Sequence, residues 1–410
     1  MVSGRATVIG GSLGGLLAAN LLLRRGWDVR VYERVRGPLA GRGAGIVTHP
    51  ELLGILEAAG VDAESGIGVS VPSRLAFGRD GSVVGELPMP QILTSWSYLY
   101  GKLKAAFPQD RYNAGISVSS YAQANGTVTA LFSDGSSVDT ELLVGADGIR
   151  STVRRQMLPQ VVPQYAGYVA WRGAVHELDI PPETHAALFE RFAFCLPPSE
   201  QMLGYPIAGE DDAVEAGRRR YNFVWYRPAD EEYLRRLMTD ARGTYYPEGI
   251  PPHLVDPSRL AEVRADAERI LSPQFADVVR ATRQLFFQPI YDLASPSLID
   301  RGVVLVGDAA FVARPHCGMG VTKAAGDADA LVRSLEDAPT TAVALTAYDR
   351  ERRAFGEIVL AHARHLGAYM QAQVKTDEER AMAERYRDTD TVLRETAVAT
   401  DLLLAAVSHY

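Results

Sequence analysis

Near the start of the chain, glycine, serine and glutamate residues stand at a spacing that suits the binding of a phosphate-containing ligand. The stretch ATVIGGSLGGLLAANLLLRRGWDVRVYER, from Ala6 to Arg34, reads as an apolar strand, a glycine-rich turn, a helix and a second strand. Such a turn binds phosphate because it brings backbone amides and the positive end of the helix dipole together. An acidic residue about 20 positions later is placed to accept hydrogen bonds from ribose hydroxyls.

The spacing follows the dinucleotide fingerprint G-x-G-x-x-G with one substitution. Gly10 and Gly15 hold the first and third glycine positions, and Ser12 stands at the second. A serine is small, and its hydroxyl can itself donate to a phosphate oxygen. Glu33 ends the second strand. The alternative is a glycine-rich turn followed by a surface glutamate, but the complete order of strand, turn, helix, strand and acid favours a cofactor site.

Two later apolar strands also end in glycine and aspartate. The first runs through LLVGADGIRSTVR, Leu142–Arg154, and the second through VVLVGDAAFVARPHCGMGVTKAAGDADAL, Val303–Leu331. An aspartate after a strand often only caps a helix or closes an Asx turn. Each motif alone therefore leaves a structural role and a ligand-binding role open.

Together the three motifs resemble those of the flavoprotein monooxygenases that hydroxylate aromatic rings. That family combines an N-terminal G-x-G-x-x-G with a central Asp-Gly motif and a later Gly-Asp motif followed by P-x-x-G-x-G. The matching residues here are Asp147-Gly148, Gly307-Asp308 and Pro315–Gly320. The resemblance extends from the first strand to about residue 370. It implies FAD as cofactor, NAD(P)H as co-substrate and molecular oxygen as a second substrate.

The resemblance also implies roles for individual residues. Glu33 would bind the FAD ribose, Asp308 the ribityl or pyrophosphate region, and Asp147-Gly148 would make a cofactor contact linked to NAD(P)H use. The loop Pro315–Gly320 would meet the isoalloxazine, where amides at a helix N-terminus stabilise the negative charge of the reduced ring. The predicted cofactor-binding residues are Gly10, Ser12, Leu13, Gly15, Glu33, Arg34, Arg42, Asp147, Gly148, Asp308, Pro315, Gly318, Met319 and Gly320.

Three positions depart from the family pattern. Ser12 replaces glycine, Trp96 stands where an arginine is usual, and Phe311 stands where a histidine often follows GDAA. With the stretches GRGAGI, SWSYLYGKL and YVAWRG, these departures resemble the branch of the family that acts on hydroxypyridines such as 2,6-dihydroxypyridine. The resemblance therefore implies hydroxylation of an electron-rich aromatic or N-heteroaromatic ring through a flavin C4a-hydroperoxide.

Aromatic and basic residues between about positions 160 and 295 are the candidates for substrate binding. This segment is rich in strand-like runs such as YVAWRGAV and YNFVWYRP, and we expect it to form a sheet that covers the flavin. Tyrosine and tryptophan suit a flat ring that carries hydroxyl groups, although most of them are core residues in the alternative interpretation. From the candidates Tyr168, Trp171, Arg172, Tyr205, Tyr221, Trp225 and Tyr291, the predicted substrate-binding residues are Tyr168, Arg172, Tyr205, Tyr221 and Trp225.

His316 is the candidate catalytic residue, because it lies in the loop expected nearest the flavin. It could act as a base or hydrogen-bond the substrate, and a purely structural hydrogen bond is the alternative. Cys317 beside it has no histidine-plus-acid pattern that would indicate a nucleophile. We predict no metal site.

Length, charge and cysteine content limit the class of protein. The chain has 410 residues and a net charge of −8, which indicates two packed domains and argues against a nucleic-acid partner. Only Cys195 and Cys317 occur, so a disulfide framework is excluded. The sequence shows no apolar run of membrane-spanning length and no signal peptide before the first strand, and we expect a cytoplasmic protein.

The elements that must position these residues predict an α/β fold. We expect a Rossmann-like FAD-binding domain of the para-hydroxybenzoate hydroxylase type, with an inserted, mostly antiparallel β-sheet substrate domain and C-terminal helices. The expected boundaries are 1–160 with 296–370 for the FAD domain, 161–295 for the sheet and 371–410 for the helices. A charged helix over Thr376–Arg394 is a solvated face or a homodimer contact.

Other functions stay open at this point. The same flavin chemistry can act on another ring, such as a phenol, a hydroxynicotinate, a salicylate, a urate or a polyketide. An FAD-dependent reductase or dehydrogenase would make no oxygenated product, and a flavin-free scaffold would keep the motifs as relics. Bound yellow flavin excludes the scaffold, and oxygen-18 in the product separates an oxygenase from a dehydrogenase.

Overall fold

The computed structural model describes residues 4–37, 39, 45–62 and 66–407, so Arg42 lies outside the described residues. In chain order its strands are β1 (Arg5–Ile9), β2 (Asp28–Glu33), β3 (Gly45–Thr48), β4 (Val69–Phe77), β5 (Val83–Ser95), β6 (Tyr112–Ala114), β7 (Val118–Ala124), β8 (Thr127–Phe132), β9 (Ser137–Thr140), β10 (Leu142–Gly145), β11 (Gln164–His176), β12 (Arg191–Cys195), β13 (Gln201–Ile207), β14 (Arg220–Pro228), β15 (Phe286–Ala294), β16 (Ile299–Asp300), β17 (Val303–Leu305) and β18 (Phe311–Val312).

The helices lie between these strands and over the C-terminal part of the chain. They are α1 (Leu13–Arg24), α2 (Pro50–Ala58), α3 (Trp96–Ala106), α4 (Thr152–Met157), α5 (Pro182–Leu188), α6 (Glu231–Leu237), α7 (Pro257–Ile270), α8 (Pro273–Ala281), α9 (Gly320–Asp337), α10 (Thr341–Gly367), α11 (Asp377–Arg385), α12 (Thr389–Glu395) and α13 (Thr400–Val407). None of the helices in the described part of the chain combines the length and the apolar character that crossing a bilayer requires.

A six-stranded sheet in the order β16-β17-β10-β1-β2-β6 carries the glycine-rich and acidic motifs. Its strands run parallel, except that β16 pairs antiparallel with β17. Strands β1, β10 and β17 are almost wholly buried apolar runs, as expected for a parallel sheet covered on both faces. Because parallel strands end at one edge, the motifs that follow these three strands meet there.

A nine-stranded sheet in the order β18-β15-β11-β14-β13-β12-β4-β5-β3 forms the second part of the molecule. Its pairs are antiparallel, with the exception of β12 and β4. Strands β3, β4 and β5 come from residues 45–95, so the sheet takes in a segment that the expected boundaries assigned to the FAD domain. The α/β fold with a mostly antiparallel second sheet and C-terminal helices is confirmed.

The two faces of the nine-stranded sheet pack against different cores. Successive residues of a strand point to opposite faces, so Tyr168 and Tyr226 pack with residues of α10, α11 and α12. Trp171 and Trp225 pack instead with residues of α5, α6, α7 and α8. This alternation decides which aromatic side chains of the sheet can reach a ligand.

The charged C-terminal stretch is two helices rather than one. The predicted helix Thr376–Arg394 is divided into α11 and α12 by a turn. Val392 and Leu393 of α12 are buried in the same core as strands β4 and β12. The segment is therefore packed on the nine-stranded sheet, and only its outer face is exposed to solvent.

A buried ion pair joins the later Gly-Asp motif to the helices behind it. Asp327 of α9 is fully buried, and its carboxylate accepts a hydrogen bond of 2.7 Å from Nε of Arg352 on α10. Its second oxygen accepts from the backbone N–H of Gly307 at 2.8 Å. The orientation of this motif therefore depends on a buried charge that Arg352 compensates.

We predict that Asp327→Asn lowers the free energy of unfolding by about 3 kcal/mol, because the substitution leaves Arg352 buried without its counter-charge. Asp329→Asn on the same helix removes a partly exposed partner of Arg333, and it should cost less than about 0.5 kcal/mol. Urea unfolding followed by circular dichroism measures both variants. Equal losses would mean that the buried pair has no special role.

Candidate functional site

A cavity of about 1270 Å³ lies where the carboxyl edge of the six-stranded sheet meets the nine-stranded sheet. Arg34 and residues of the two later motifs line one part of it, and side chains of the nine-stranded sheet line another. The lining includes Arg34, Asp147, Gly148, Asp308, Pro315, His316, Gly318 and Gly320 from the first group, and Arg172, Phe192, Leu203, Tyr205, Val224 and Tyr226 from the second.

The first glycine-rich turn leaves no space for side chains. A Cβ on Gly15 would lie 1.8 Å from the carbonyl oxygen of Gly10, and one on Gly10 would lie 2.3 Å from that of Ala146. Ser12 is the N-cap residue of α1, but its side chain makes no capping hydrogen bond. The hydroxyl and the first amides of α1 are thus available to a phosphate. Leu13 is buried in the core, so it can contribute only its backbone.

Glu33 is buried at the end of β2 and points back to the turn. Its carboxylate accepts hydrogen bonds from the N–H of Gly11 at 2.8 Å and of Val35 at 2.9 Å. A carboxylate offers about four acceptor positions, so within the described part of the chain two are left for ribose hydroxyls. Arg34, the next residue, lines the cavity.

The Asp147 carboxylate has a structural role, and one of its oxygens is also open to a further hydrogen bond. One carboxylate oxygen accepts from the N–H of Thr152 at 2.6 Å, at the start of α4. The other oxygen, Oδ1, is buried and has no well-aligned hydrogen-bond donor among the described residues, although the Ser151 hydroxyl also interacts with the carboxylate. Burial raises the pKa of Asp147. Because an unsatisfied buried oxygen is costly, Oδ1 marks a position for a ligand donor.

Asp308 is oriented by a lysine that sequence analysis missed. The Nζ of Lys323 donates to Asp308 at 3.0 Å and to the carbonyl oxygen of Phe311 at 2.7 Å. The Lys323 side chain is fully buried, whereas half of Asp308 is exposed toward the cavity. The Lys323 ammonium also lies 4.5 Å from the centre of the Phe311 ring. A lysine in the first turn of α9 was the available signal, since it follows the glycine loop directly.

The loop Pro315–Gly320 ends in an open helix N-terminus. Gly318 has a φ of +71°, which favours glycine, and Met319 provides no side-chain cap for α9. Gly318 and Gly320 line the cavity, whereas Met319 is buried and can contribute only backbone groups. The first amides of α9 therefore lie at the cavity, where they can stabilise a negative charge.

Cys317 in the same loop is not suited to nucleophilic chemistry. The thiol is buried, and burial raises its pKa to about 11. A thiol with this pKa is protonated near neutral pH. No group of His, Cys or acidic residues within the described ranges is arranged to hold a metal ion.

His316 is buried, and its environment fixes its protonation. Its Nε2 lies 2.7 Å from the Tyr168 hydroxyl, and the Arg314 guanidinium lies beside that hydroxyl. Because a guanidinium only donates, the Tyr168 O–H directs its proton to Nε2, and the proton of the ring is then on Nδ1. Burial, Arg314 and His362 lower the pKa of His316 well below its usual value. This geometry favours a neutral hydrogen-bonding side chain over a base.

Arg314 is itself held by a buried acid. Its guanidinium makes two hydrogen bonds of 2.9 Å to Asp292 on β15, and a third to Gln371 at 2.7 Å. Asp292 also accepts from Arg364 at 3.1 Å. The hydrogen bond between Tyr168 and His316 thus rests on a rigid ionic cluster behind the cavity.

The sheet brings together only part of the predicted substrate set. Arg172 and Tyr205 line the cavity, and Tyr168 lies behind His316 rather than in the lining. Tyr221 and Trp225 are buried on the opposite face of the sheet, where Trp225 Nε1 donates to Glu200 at 2.7 Å. The structure therefore does not bring these two predicted residues to the cavity, because an odd offset along a strand reverses the direction of the side chain.

Sequence analysis missed several side chains of β12, β13 and β14 that line the cavity. Tyr226 and Val224 lie opposite Ala170 and Arg172 in the pairing of β14 with β11, and therefore share the face of Arg172. Phe192 and Leu203 line the same end of the cavity. Period-two spacing within β14 separates the two sets of side chains, but only the register shows which set faces the cavity.

These groups fit FAD. Two helix N-termini without side-chain caps suit the pyrophosphate and the reduced ring, and Glu33 has acceptor positions left for a ribose. The open oxygen of Asp147 and the half-exposed carboxylate of Asp308 are free to accept from hydroxyl or amide groups. Trp96 stacks on Tyr100, with ring centres 4.9 Å apart, and is not in the cavity lining. Trp96 therefore does not supply the flavin contact that the family resemblance implied for an arginine at this position.

Family models agree with this assignment. An FAD binding domain model matches residues 5–70, and an FAD binding domain-like model matches residues 165–292. Fold and site thus define an FAD-binding oxidoreductase.

Individual relatives narrow the class further. The chain is 35% identical over 331 residues, 80% of its length and 81% of the relative's, to 2,6-dihydroxypyridine 3-monooxygenase of Paenarthrobacter nicotinovorans. It is 27% identical over 353 residues, 81% of its length and 82% of the relative's, to 6-hydroxynicotinate 3-monooxygenase of Bordetella bronchiseptica. The structure of 2,6-dihydroxypyridine-3-hydroxylase from Arthrobacter nicotinovorans has a TM-score of 0.85 at 31% identity, with 92% of this chain and 94% of that chain covered. The chain belongs to the FAD-dependent monooxygenases that hydroxylate aromatic rings.

We predict that Glu33→Ala raises the dissociation constant for FAD about tenfold, because charge-assisted hydrogen bonds to the cofactor are lost. Asp28→Ala removes an exposed carboxylate at the start of the same strand and should leave FAD binding unchanged. Titration of flavin fluorescence measures both. Wild-type affinity in the Glu33 variant would exclude its ribose role.

We also predict that His316 contributes to acid sensitivity. The folded protein resists protonation of this ring while the unfolded chain accepts it, so the free energy of unfolding falls as pH drops below the unperturbed value of 6.5. Between pH 7 and 5, His316→Gln should lose about 1–2 kcal/mol less than wild type. His253→Gln, at an exposed position, is the control and should follow the wild-type curve in urea unfolding. Parallel curves for all three proteins would contradict the assignment.

Proposed function

We propose that the protein hydroxylates a hydroxypyridine, such as 2,6-dihydroxypyridine, with FAD, NAD(P)H and molecular oxygen. One cavity that joins the FAD-binding residues to an aromatic pocket containing the Arg172 guanidinium carries the proposal. The relative at 35% identity acts on 2,6-dihydroxypyridine by its name, which supports this substrate class. When bound, FAD supplies the two-electron exchange with NAD(P)H and the activation of oxygen.

Arg172 is the group that we propose to bind an oxygen of the ring. The residue is almost fully buried, and its Nε has no hydrogen-bond partner among the described residues. A guanidinium only donates, and it binds negatively charged oxygens strongly in a dry environment. A hydroxypyridine with an ionised oxygen provides that acceptor and is at the same time electron-rich.

Tyrosine and apolar side chains would complete the pocket. Burial raises the pKa of Tyr205 and of Tyr226, so both hydroxyls stay protonated and can donate to or accept from polar atoms of a ring. Phe192, Leu203 and Val224 supply apolar surface. An apolar wall holds a flat ring in one plane and excludes water.

His316 would orient the ring or the cofactor through a hydrogen bond. Its low pKa makes it a poor proton acceptor at neutral pH. A ring with two oxygen substituents is already activated toward an electrophile, so a strong base in the protein is not required. The chain's main contributions are position and exclusion of water.

Oxidation of NADH and NADPH by the FAD-loaded protein tests the proposal. A panel of hydroxylated pyridines, a hydroxynicotinate and simple phenols is added under oxygen-18, and the product mass is measured. We expect 2,6-dihydroxypyridine to stimulate oxidation and to yield a product one oxygen atom heavier. Stimulation by 6-hydroxynicotinate alone would transfer the substrate assignment to the ring named for the second relative. Oxidation without an oxygenated product would support a reductase instead.

We predict that Arg172→Met raises KM for the ring substrate about tenfold to a hundredfold, because a charge-assisted contact is worth that much in affinity. FAD binding should be retained. Arg220→Met on β14, whose guanidinium reaches the carbonyl of Ala208 outside the cavity lining, is the control. Equal KM values in both variants would exclude Arg172 from the substrate site.

The cellular location and the assembly state are part of the same proposal. We propose a cytoplasmic enzyme, with two buried free thiols, Cys195 and Cys317, that suit a reducing compartment. We propose a homodimer through the exposed face of the C-terminal helices. Light scattering of the purified FAD-loaded protein measures the assembly state.

A further inference from the structure

A buried arginine far from the recognised motifs fastens the end of the chain to the cavity. Arg74 on β4 is fully buried. Its guanidinium donates to the carbonyl oxygens of Leu393 at 2.7 Å, Thr396 at 2.6 Å and Ala397 at 3.0 Å. Its Nε donates to Gln91 at 2.8 Å. The partners of this charge are carbonyl and amide oxygens rather than a carboxylate.

A buried cation without a carboxylate partner must have its charge compensated by other groups. Burial lowers the pKa of Arg74 to about 9, and the group is still charged at neutral pH. The carbonyl groups that it binds lie at the C-terminal end of α12, where the helix dipole is negative. The interaction therefore compensates the charge only while residues 389–400, here the C-terminal segment, stay in place.

The C-terminal segment forms part of the cavity wall. Ala397 lines the cavity, and its N–H donates to the carbonyl oxygen of His316 at 3.1 Å. A Cβ on Gly318 would lie 2.7 Å from the Cβ of Ala397. The Pro315–Gly320 loop is thus in direct contact with the backbone that Arg74 holds.

Ala397 adopts an unusual backbone conformation at this contact. Its φ is +50°, a backbone conformation that alanine seldom adopts because it is strained. Such a conformation persists only where the surroundings enforce it. The hydrogen bonds from Arg74 to Thr396 and Ala397 provide that constraint. Gln91 adds another to the carbonyl oxygen of Ala397 at 3.2 Å.

Arg74 also supports the part of the cavity that we propose for the substrate ring. Its guanidinium carbon lies 5.1 Å from the centre of the Phe192 ring, within range of a cation–π contact. Phe192 packs edge-on against Tyr205, with ring centres 4.9 Å apart, and both line the cavity. One buried cation thus contacts Phe192 in the cavity wall and the C-terminal segment. This segment packs against the Pro315–Gly320 loop.

We infer that Arg74 is a positioning residue that holds the C-terminal segment against the Pro315–Gly320 loop, so that residues 389–400 belong to the cofactor site. This inference rests on the proposed function of the cavity. It extends the site to residues that neither matched family region, 5–70 nor 165–292, contains.

Hydrogen exchange tests the inference without any substitution. Exchange of a peptide covering residues 389–400 is compared in the FAD-loaded enzyme and in the protein stripped of FAD. We expect slower exchange with FAD, because cofactor and segment brace the same loop. A peptide from α7, on the other face of the sheet, is the control and should not change. Equal exchange of the C-terminal peptide in both forms would refute the inference.

Substitution of Arg74 gives a second test. We expect Arg74→Met to raise the FAD dissociation constant about tenfold, to shift the flavin reduction potential and to raise KM for the ring. Arg74→Lys keeps the charge with fewer directed donors, and it should recover part of each effect. Arg219→Met, which removes a buried partner of Glu177 outside the cavity lining, controls for loss of stability alone.

The outcomes separate the two proposals. If Arg74→Met loses stability like Arg219→Met but keeps wild-type FAD affinity, potential and KM, Arg74 is structural only. If Arg74→Met does not fold, Arg74→Lys and the exchange experiment still decide. If the wild-type protein binds FAD but hydroxylates no ring, the proposed function fails, whereas exchange and FAD affinity still test the role of Arg74.

Discussion

The site depends on one geometrical constraint, that parallel strands end at the same edge of a sheet. Strands β1, β10 and β17 are adjacent in the six-stranded sheet, so motifs separated by more than a hundred residues converge there. In the first motif a side chain on Gly10 or Gly15 would collide with the backbone, whereas Gly148 and Gly307 adopt the positive φ that favours glycine. Each motif also places an acidic residue beside its glycine. This edge faces the second sheet, and a cavity of about 1270 Å³ lies between them.

Buried charges hold this arrangement together, and they are balanced in two ways. Asp327 is paired with Arg352, Arg314 with Asp292, and Lys323 with Asp308. Arg74 is balanced by carbonyl dipoles. Such groups stabilise little in net terms, because desolvation offsets the attraction. Their main effect is to fix the orientation of the groups around them. All four buried charges lie against the motifs, the Pro315–Gly320 loop or the cavity wall.

In the nine-stranded sheet, the alternation of side chains along each strand decides which residues face the cavity. Its aromatic residues are numerous, but alternation along each strand sends half of them away from the cavity. Trp225 and Tyr226 are neighbours in sequence with opposite environments, the first bonded to Glu200 and the second facing the cavity. Register as well as composition therefore decides which side chains of this sheet face the cavity.

The sequence by itself determined the family, the α/β class, the cofactor and the three motif positions, because glycine and acidic residues in strand-end turns are local signals. It could not determine which face Tyr221 or Trp225 occupies, since strand register depends on pairing with distant strands. Nor could it show that Lys323 orients Asp308, or that Arg74 reaches a segment more than 300 residues later. Those contacts exist only after the chain has folded, because long-range packing sets them and leaves no periodic trace in the sequence.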